Sequence, residues 1–246
     1  MNLKHRLQEF DIASRFADAF KLQEKAVLET LSSGIPELDS LTGGIPRGAI
    51  SEIFGPASSG RTSIMFSLLA HATRHEEICA VVDVNNVFAP TAAAAAGVDL
   101  HRLLWIRCGG SLENAFKAAD LLLHAGGFGV VILDLADVAG KDARRIISSW
   151  WYRFRRTVEN KPTSILVMSE EACTRSCAAL TLELKGTAEW SQADVEQGNV
   201  VPMRKQLPAK RGSVTQGNLL RFNSIKVNRQ RPLSPWSNET QFRACG

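Results

Sequence analysis

The chain has no uninterrupted apolar run of the ~18 residues that a membrane-spanning helix needs, although 45% of its 246 residues are hydrophobic. A spanning helix is therefore not expected. The residues from Met1 to Phe10 also lack the continuous apolar stretch of a secretory leader, and the expectation is a cytoplasmic protein. Cysteine is sparse: the five residues Cys79, Cys108, Cys173, Cys177 and Cys245 are odd in number and scattered, which suits free thiols in a reducing compartment. Cys173 and Cys177 could share one face of a helical turn, but no further Cys or nearby His completes a zinc set. Acid is scarce at one end only. From Val200 onward nine basic residues face the single acid Glu239, so this segment carries +8 and leaves the rest at −4 in a chain of net charge +4. A basic tail on a mildly acidic body suits binding to a phosphate backbone; it equally suits a solvated segment that keeps the protein soluble. Internal repeats are absent, and the alanine run Ala92 to Ala96 reads as a short packed helix.

What the sequence does contain is a phosphate-loop pattern. Residues 49 to 62 read as a strand running into Gly55-Pro56-Ala57-Ser58-Ser59-Gly60-Arg61-Thr62. The spacing is that of G-x-x-x-x-G-K-[ST], whose glycines let backbone N–H groups turn inward around phosphate oxygens. Thr62 keeps the hydroxyl that normally holds Mg²⁺, and the helix-forming run from Ile64 to Ala70 would aim its positive end at the anion. The expected lysine is Arg61. A compact ammonium has become a planar guanidinium of different reach and directionality, so nucleotide binding is expected to survive better than hydrolysis.

Short apolar runs at 78–83, 103–107, 130–134 and 164–168 have strand length, and helical stretches lie between them near 91–96, 112–125 and 141–158. The alternation predicts an α/β fold with a mostly parallel sheet covered on both faces. Leu180 to Leu184 alternates apolar with polar, which predicts a half-exposed strand, and residues 219–227 form a further candidate strand. Residues 186–218, rich in Gly, Pro, Lys and Arg, read as a long loop. Residues 3–31 read as an amphipathic helical leader. The 141–158 stretch carries Trp150, Trp151 and Phe154 on one stripe with arginines around it. That pattern suits core packing or, alternatively, base stacking. Asp134 ends an apolar run, where an acid beside a bound Mg²⁺ or a helix cap would both be at home.

Taken together, Ser33-Gly34-Ile35-Pro36-Glu37-Leu38-Asp39, Gly44-Ile45-Pro46-Arg47-Gly48, the run Glu52 to Gly60 and Asp83-Val84-Asn85-Asn86 resemble the RecA family of recombinase ATPases. Pro90 and Ala96-Gly97-Val98-Asp99-Leu100 fit the same family, and Phe88 to Arg107 looks like its ImuA branch, RecA-like accessories of bacterial translesion synthesis. The resemblance implies a RecA-like P-loop core at 32–185, preceded by the leader at 1–31 and followed by the basic loop at 186–218 and a last core strand with a basic tail at 219–246. It implies ATP with Mg²⁺ as ligand, held by Gly55, Pro56, Ser58, Ser59, Gly60, Arg61, Thr62, Ser63 and Asp134, with Thr62 and Asp134 nearest the metal. It also implies a cytoplasmic role in DNA repair, DNA recombination and the SOS response to DNA damage, single-stranded DNA as a partner, an ImuB-type polymerase-associated protein as another, and self-association.

Three positions depart from the family pattern. Asn85 stands where the family has a catalytic glutamate, and a neutral amide cannot take a proton from water. Ser169 or Glu170 stands at the γ-phosphate sensor position, where the family has a glutamine, and Arg61 replaces the lysine. Regions that carry DNA-binding loops in the family are short here, so DNA contact is expected from Arg204, Lys205, Lys210, Arg211, Lys226, Arg229 and Arg231. The leading expectation is a DNA-repair accessory with a degenerate hydrolytic site. The alternatives are a working DNA-dependent ATPase of recombination and an interaction module that has lost both ligands.

Overall fold

The computed structural model describes residues 29–136, 138, 142, 146–192, 218–232 and 237–245, and for residues 188–192, 218–223 and 245 the backbone alone. Its elements are β1 (Thr30–Leu31), α1 (Pro36–Thr42), β2 (Ile45–Pro46), β3 (Ile50–Phe54), α2 (Arg61–Arg74), β4 (Cys79–Asp83), α3 (Pro90–Ala95), β5 (Leu103–Arg107), α4 (Leu112–Ala125), β6 (Val130–Leu135), α5 (Ser148–Val158), β7 (Ser164–Ser169), β8 (Ala178–Gln192), β9 (Asn218–Arg231) and β10 (Glu239–Cys245). A 3₁₀ turn at Leu100–Arg102 precedes β5.

β3 to β10 form one eight-stranded sheet in the order β10-β9-β8-β3-β7-β6-β4-β5. The strands from β8 to β5 in that order run parallel, and β9 and β10 extend the sheet as antiparallel additions. Period-two alternation decides which core each strand residue enters. In β4, Cys79 and Val81 point into the core that holds Leu38 of α1, Ile64, Leu68 and Leu69 of α2 and Ala93 of α3. Ala80 and Val82 point into the opposite core, with Phe116 and Leu123 of α4 and Trp151, Phe154 and Val158 of α5. Both faces are thus covered, which is why these strands read as continuous apolar runs. Phe116 stacks on Phe154 at 5.6 Å and meets Trp151 edge-on at 5.1 Å. The aromatic stripe of α5 therefore spends most of its surface on core packing.

Helix limits follow local chemistry. Pro36 opens α1 and Gly43, at φ +78°, closes it in the left-handed conformation. The Ser111 hydroxyl caps α4 by accepting the Asn114 N–H at 3.2 Å.

Several expectations change. Of the leader, residues 1–28 lie outside the described residues, and Thr30–Leu31 is a strand paired with Ile45–Pro46 rather than a helix end. β8 is neither short nor half-exposed. It lies between β3 and β9 and buries Leu180, Thr181, Leu182 and Leu184. It continues to Gln192 because β9 supplies hydrogen-bonding partners as far as Asn218, so the start of the expected 186–218 loop is strand. Residues 239–245, expected as tail, form β10 against β9. Of the expected 141–158 helix, residues 148–158 are α5.

Candidate nucleotide site

The parallel strands deliver the sequence-predicted residues to one edge of the sheet. Phe54 pairs with Ser169, Leu135 also pairs with Ser169, and Asp83 pairs with Asp134, so the loop after β3, Ser169, Asp134 and Asp83 all stand at carboxyl ends of neighbouring strands. Open α/β sheets bind ligands there.

The loop leaves β3 with the Gly55 N–H donating to the Ser169 carbonyl at 3.2 Å, and it turns through a Ser59 N–H bond to the Pro56 carbonyl. Ser58 takes φ +61° and Gly60 takes φ +97° as it caps α2. Arg61, Thr62 and Ser63 then begin the helix, where backbone N–H groups have no earlier turn to donate to. Glycine is required here for space as well as conformation. A Cβ on Gly55 would lie 2.5 Å from the Leu184 carbonyl oxygen, and one on Gly60 would lie 2.2 Å from Ile225 Cδ1. Gly186 of β8 approaches from outside, where its missing Cβ would sit 2.3 Å from the Ser58 carbonyl oxygen. The β8–β9 hairpin thus presses the loop into shape. The Ser59 hydroxyl is buried within it without a hydrogen-bond partner among the described residues, a polar atom suited to a polar ligand.

Arg61 is buried at 7% exposure and does not point to open solvent. It reaches past the end of β7 to β6, where Nη1 donates to the Ala136 carbonyl at 3.3 Å. Asp134, 6% exposed, accepts the Ala136 N–H at 2.9 Å. The arginine and the carboxylate therefore meet the two backbone polar groups of one residue. Thr62 is exposed, and Ser63 half-buried, on the first turn of α2.

Asp83 is fully buried and accepts from the Val87 and Phe88 N–H groups and from Trp105 Nε1 at 3.1 Å. These bonds set the turn that carries Asn85, which is exposed. Ser169 is buried, and its hydroxyl lies beside the Cys173 thiol without a hydrogen bond of normal geometry to any group among the described residues. By strand alternation it shares the sheet face of Ile165 and Val167, opposite the face on which α2 packs.

Of the expected DNA contacts, Arg204, Lys205, Lys210 and Arg211 lie outside the described residues. Lys226 is half-exposed and pairs with Glu239 at 2.7 Å, and Arg231 is exposed and donates to the Arg175 carbonyl. Arg229 is turned inward, a correction to the expected surface role. It is 9% exposed, with Nη1 donating to the Leu41 carbonyl at 2.7 Å and Nη2 to the Ser237 carbonyl, so it ties α1 to β9 and to the residues that lead into β10.

Two residues to which the sequence alone assigned no role shape the site. Gly186 is one. Glu52 is the other: buried in β3, it accepts from the Cys173 N–H at 2.6 Å, the Thr174 N–H at 3.0 Å and the Thr174 hydroxyl at 2.6 Å, fixing the link from β7 to β8 beside the loop. A charged residue in the middle of the short strand Ile50–Phe54 was the available signal.

Four cysteines, Cys79, Cys108, Cys173 and Cys177, are buried, and burial holds each in its thiol form. Burial pushes the Cys79 thiol up to about 12, and burial first, then the charge of Glu52, pushes Cys173 up as well. The folded chain keeps the Cys79 proton at a pH where an unfolded thiol has lost it, so the stability this contributes is present below the ordinary thiol range and is lost as pH rises towards 12. Cys79, Cys108, Cys173 and Cys177, all buried, should label with a thiol reagent at pH 8 only as fast as the protein unfolds. Rapid modification of any of the four, mapped by mass spectrometry, would contradict this burial.

Comparison with known proteins adds three findings to this geometry. Residues 4–144 match the model of the RecA N-terminal domain. Among curated proteins, Protein RecA of Nostoc punctiforme is 39% identical over 121 residues, covering 49% of this chain and 32% of that protein. Protein RecA of Rhizobium leguminosarum bv. trifolii is 39% identical over 109 residues, covering 44% of this chain and 30% of the relative. The matches thus span about a third of the length of these relatives. Among solved structures, the RadB recombinase superposes with a TM-score of 0.58 at 16% identity, over 87% of this chain and 96% of that one, a likeness of fold.

Proposed function

The chain belongs to the RecA family, and from that premise we propose that it acts in DNA repair and recombination as a protein that holds ATP in the loop after β3 and hydrolyses it poorly. One observation carries this reading: the loop has the turn suited to cradle phosphate, while its cation is a guanidinium, Arg61, that rests on the Ala136 carbonyl where a lysine ammonium would be expected at the phosphates. The exposed amide of Asn85 supports the same conclusion, because it offers no base for the attacking water. Within this role we place the chain in the cytoplasm as an accessory of damage-induced translesion synthesis, docking on an ImuB-type partner. The support for that placement is the run from Phe88 to Arg107.

The relatives favour a second reading, since those quoted are each named Protein RecA: a working DNA-dependent ATPase of recombination. Turnover with and without single-stranded DNA separates the two. Background turnover that DNA does not raise is expected. Brisk, DNA-stimulated hydrolysis abolished by Arg61→Ala would replace our reading with the recombinase.

DNA binding is assigned to the basic segment after Val200. Replacing Arg204, Lys205, Lys210 and Arg211 together by Ala should reduce the slope of log affinity against log salt by about 3, taking ~0.7 for each single-strand phosphate no longer neutralised. An unchanged slope would make the segment a solvated one, and absence of both DNA and nucleotide binding would leave an interaction module.

A further inference from the structure

Nucleotide sites of this type ordinarily add a divalent cation to the loop, held between the hydroxyl after the loop's cation and an acid on a neighbouring strand. The residues here fit that metal poorly. Asp134 has turned one carboxylate oxygen back onto the Ala136 N–H. The Arg61 guanidinium lies on the carbonyl of the same residue, so a permanent positive charge already stands at the carboxyl end of β6. A divalent ion placed beside Asp134 would meet that charge across a short distance in a partly dehydrated site, where like charges repel more strongly than in water. Among the described residues no group of three His, Cys, Asp or Glu side chains offers an alternative metal site.

The same geometry makes Arg61 a substitute. It is the first residue of α2, so its backbone sits at the positive end of a 14-residue helix while its side chain crosses to the neighbouring strand ends. Among the described residues one of the five N–H donors in its guanidinium is engaged, at 3.3 Å, a long bond that a phosphate oxygen would outcompete. The side chain is more than nine-tenths buried, so no large movement from solvent is needed to present its remaining donors to a polyphosphate. We propose that Arg61 supplies from within the chain the positive charge a divalent cation would otherwise bring, so that the loop binds nucleoside polyphosphate without metal. This rests on the loop being a nucleotide site at all.

Calorimetric titration of the full chain with adenosine 5′-(β,γ-imido)triphosphate, in Mg²⁺ and in EDTA, tests it. Wild-type affinities in the two buffers should agree within about threefold, a difference well below the 1.4 kcal/mol that a factor of ten represents. Arg61→Lys, whose compact ammonium cannot span to Ala136, should bind at least about tenfold more weakly in EDTA than in Mg²⁺. If wild-type affinity instead collapses in EDTA, the proposal fails while the nucleotide reading stands. If Arg61→Lys is as metal-independent as wild type, the proposal also fails. Binding in neither buffer would overturn both. Thermal unfolding checks that the variant is folded, and Arg61→Gln, with the same expectation, takes its place if it is not.

Discussion

Gly186→Ala is expected to weaken nucleotide binding at least about tenfold while leaving the sheet assembled. The added Cβ would stand 2.3 Å from the Ser58 carbonyl oxygen and 2.9 Å from the Ser59 Cα, both backbone atoms that no rotamer change can move aside. Either the loop or the end of β8 must shift, and overpacking of this kind costs about 1–3 kcal/mol. β8 pairs with β3 only as far as Glu183, so beyond that point the strand leans on β9 and on the loop itself. Relief on either side spoils the turn whose amides would hold phosphate. Lys185→Ala, one residue away and exposed, should change affinity by less than about twofold, since surface ion pairs contribute little. Titration of both variants with a fluorescent nucleotide checks this. Unaltered binding by Gly186→Ala would mean that the approach of β8 does not shape the site.

Glu52→Ala should be the most destabilising single change. The carboxylate satisfies two buried backbone amides and a buried hydroxyl, all from Cys173 and Thr174. Each donor left unsatisfied costs about 1–3 kcal/mol, and the vacated volume adds to this, so a loss of about 4 kcal/mol is expected. At about 2–4 °C per kcal/mol for a chain of this size, the thermal midpoint should fall by about 10 °C. Glu52→Gln keeps the volume and one acceptor, and should lose roughly half as much. Calorimetric unfolding of the two variants provides the check, and a change under about 1 kcal/mol for Glu52→Ala would show that the link from β7 to β8 is held by other contacts.

The parts of this fold that were legible in the sequence are those whose signal is local. β4, β5, β6 and β7 lie within the parallel sheet, and each reads as a short apolar run whose bounds hold to a residue or so. The loop was legible because glycine spacing is itself the constraint, as the close approaches at Gly55 and Gly60 show. What was not legible depends on partners distant in sequence. Gly186 and Thr187 look like a loop, and they are strand only because Ile225 and Ser224 pair with them across the hairpin. Arg61 looked like a phosphate ligand, and its resting partner is a main-chain carbonyl 75 residues away. Arg229 looked like a surface cation because a basic neighbourhood says nothing of the Leu41 and Ser237 carbonyls that draw it inward.

The most direct test is a crystal structure of the chain with a non-hydrolysable ATP analogue, grown without divalent metal. Phosphate oxygens within about 3 Å of the N–H groups of the 55–62 loop, with the Arg61 guanidinium moved from Ala136 onto phosphate, are expected. A nucleotide bound elsewhere, or a loop that stays empty at saturating analogue while Arg61 keeps its hold on Ala136, would contradict it.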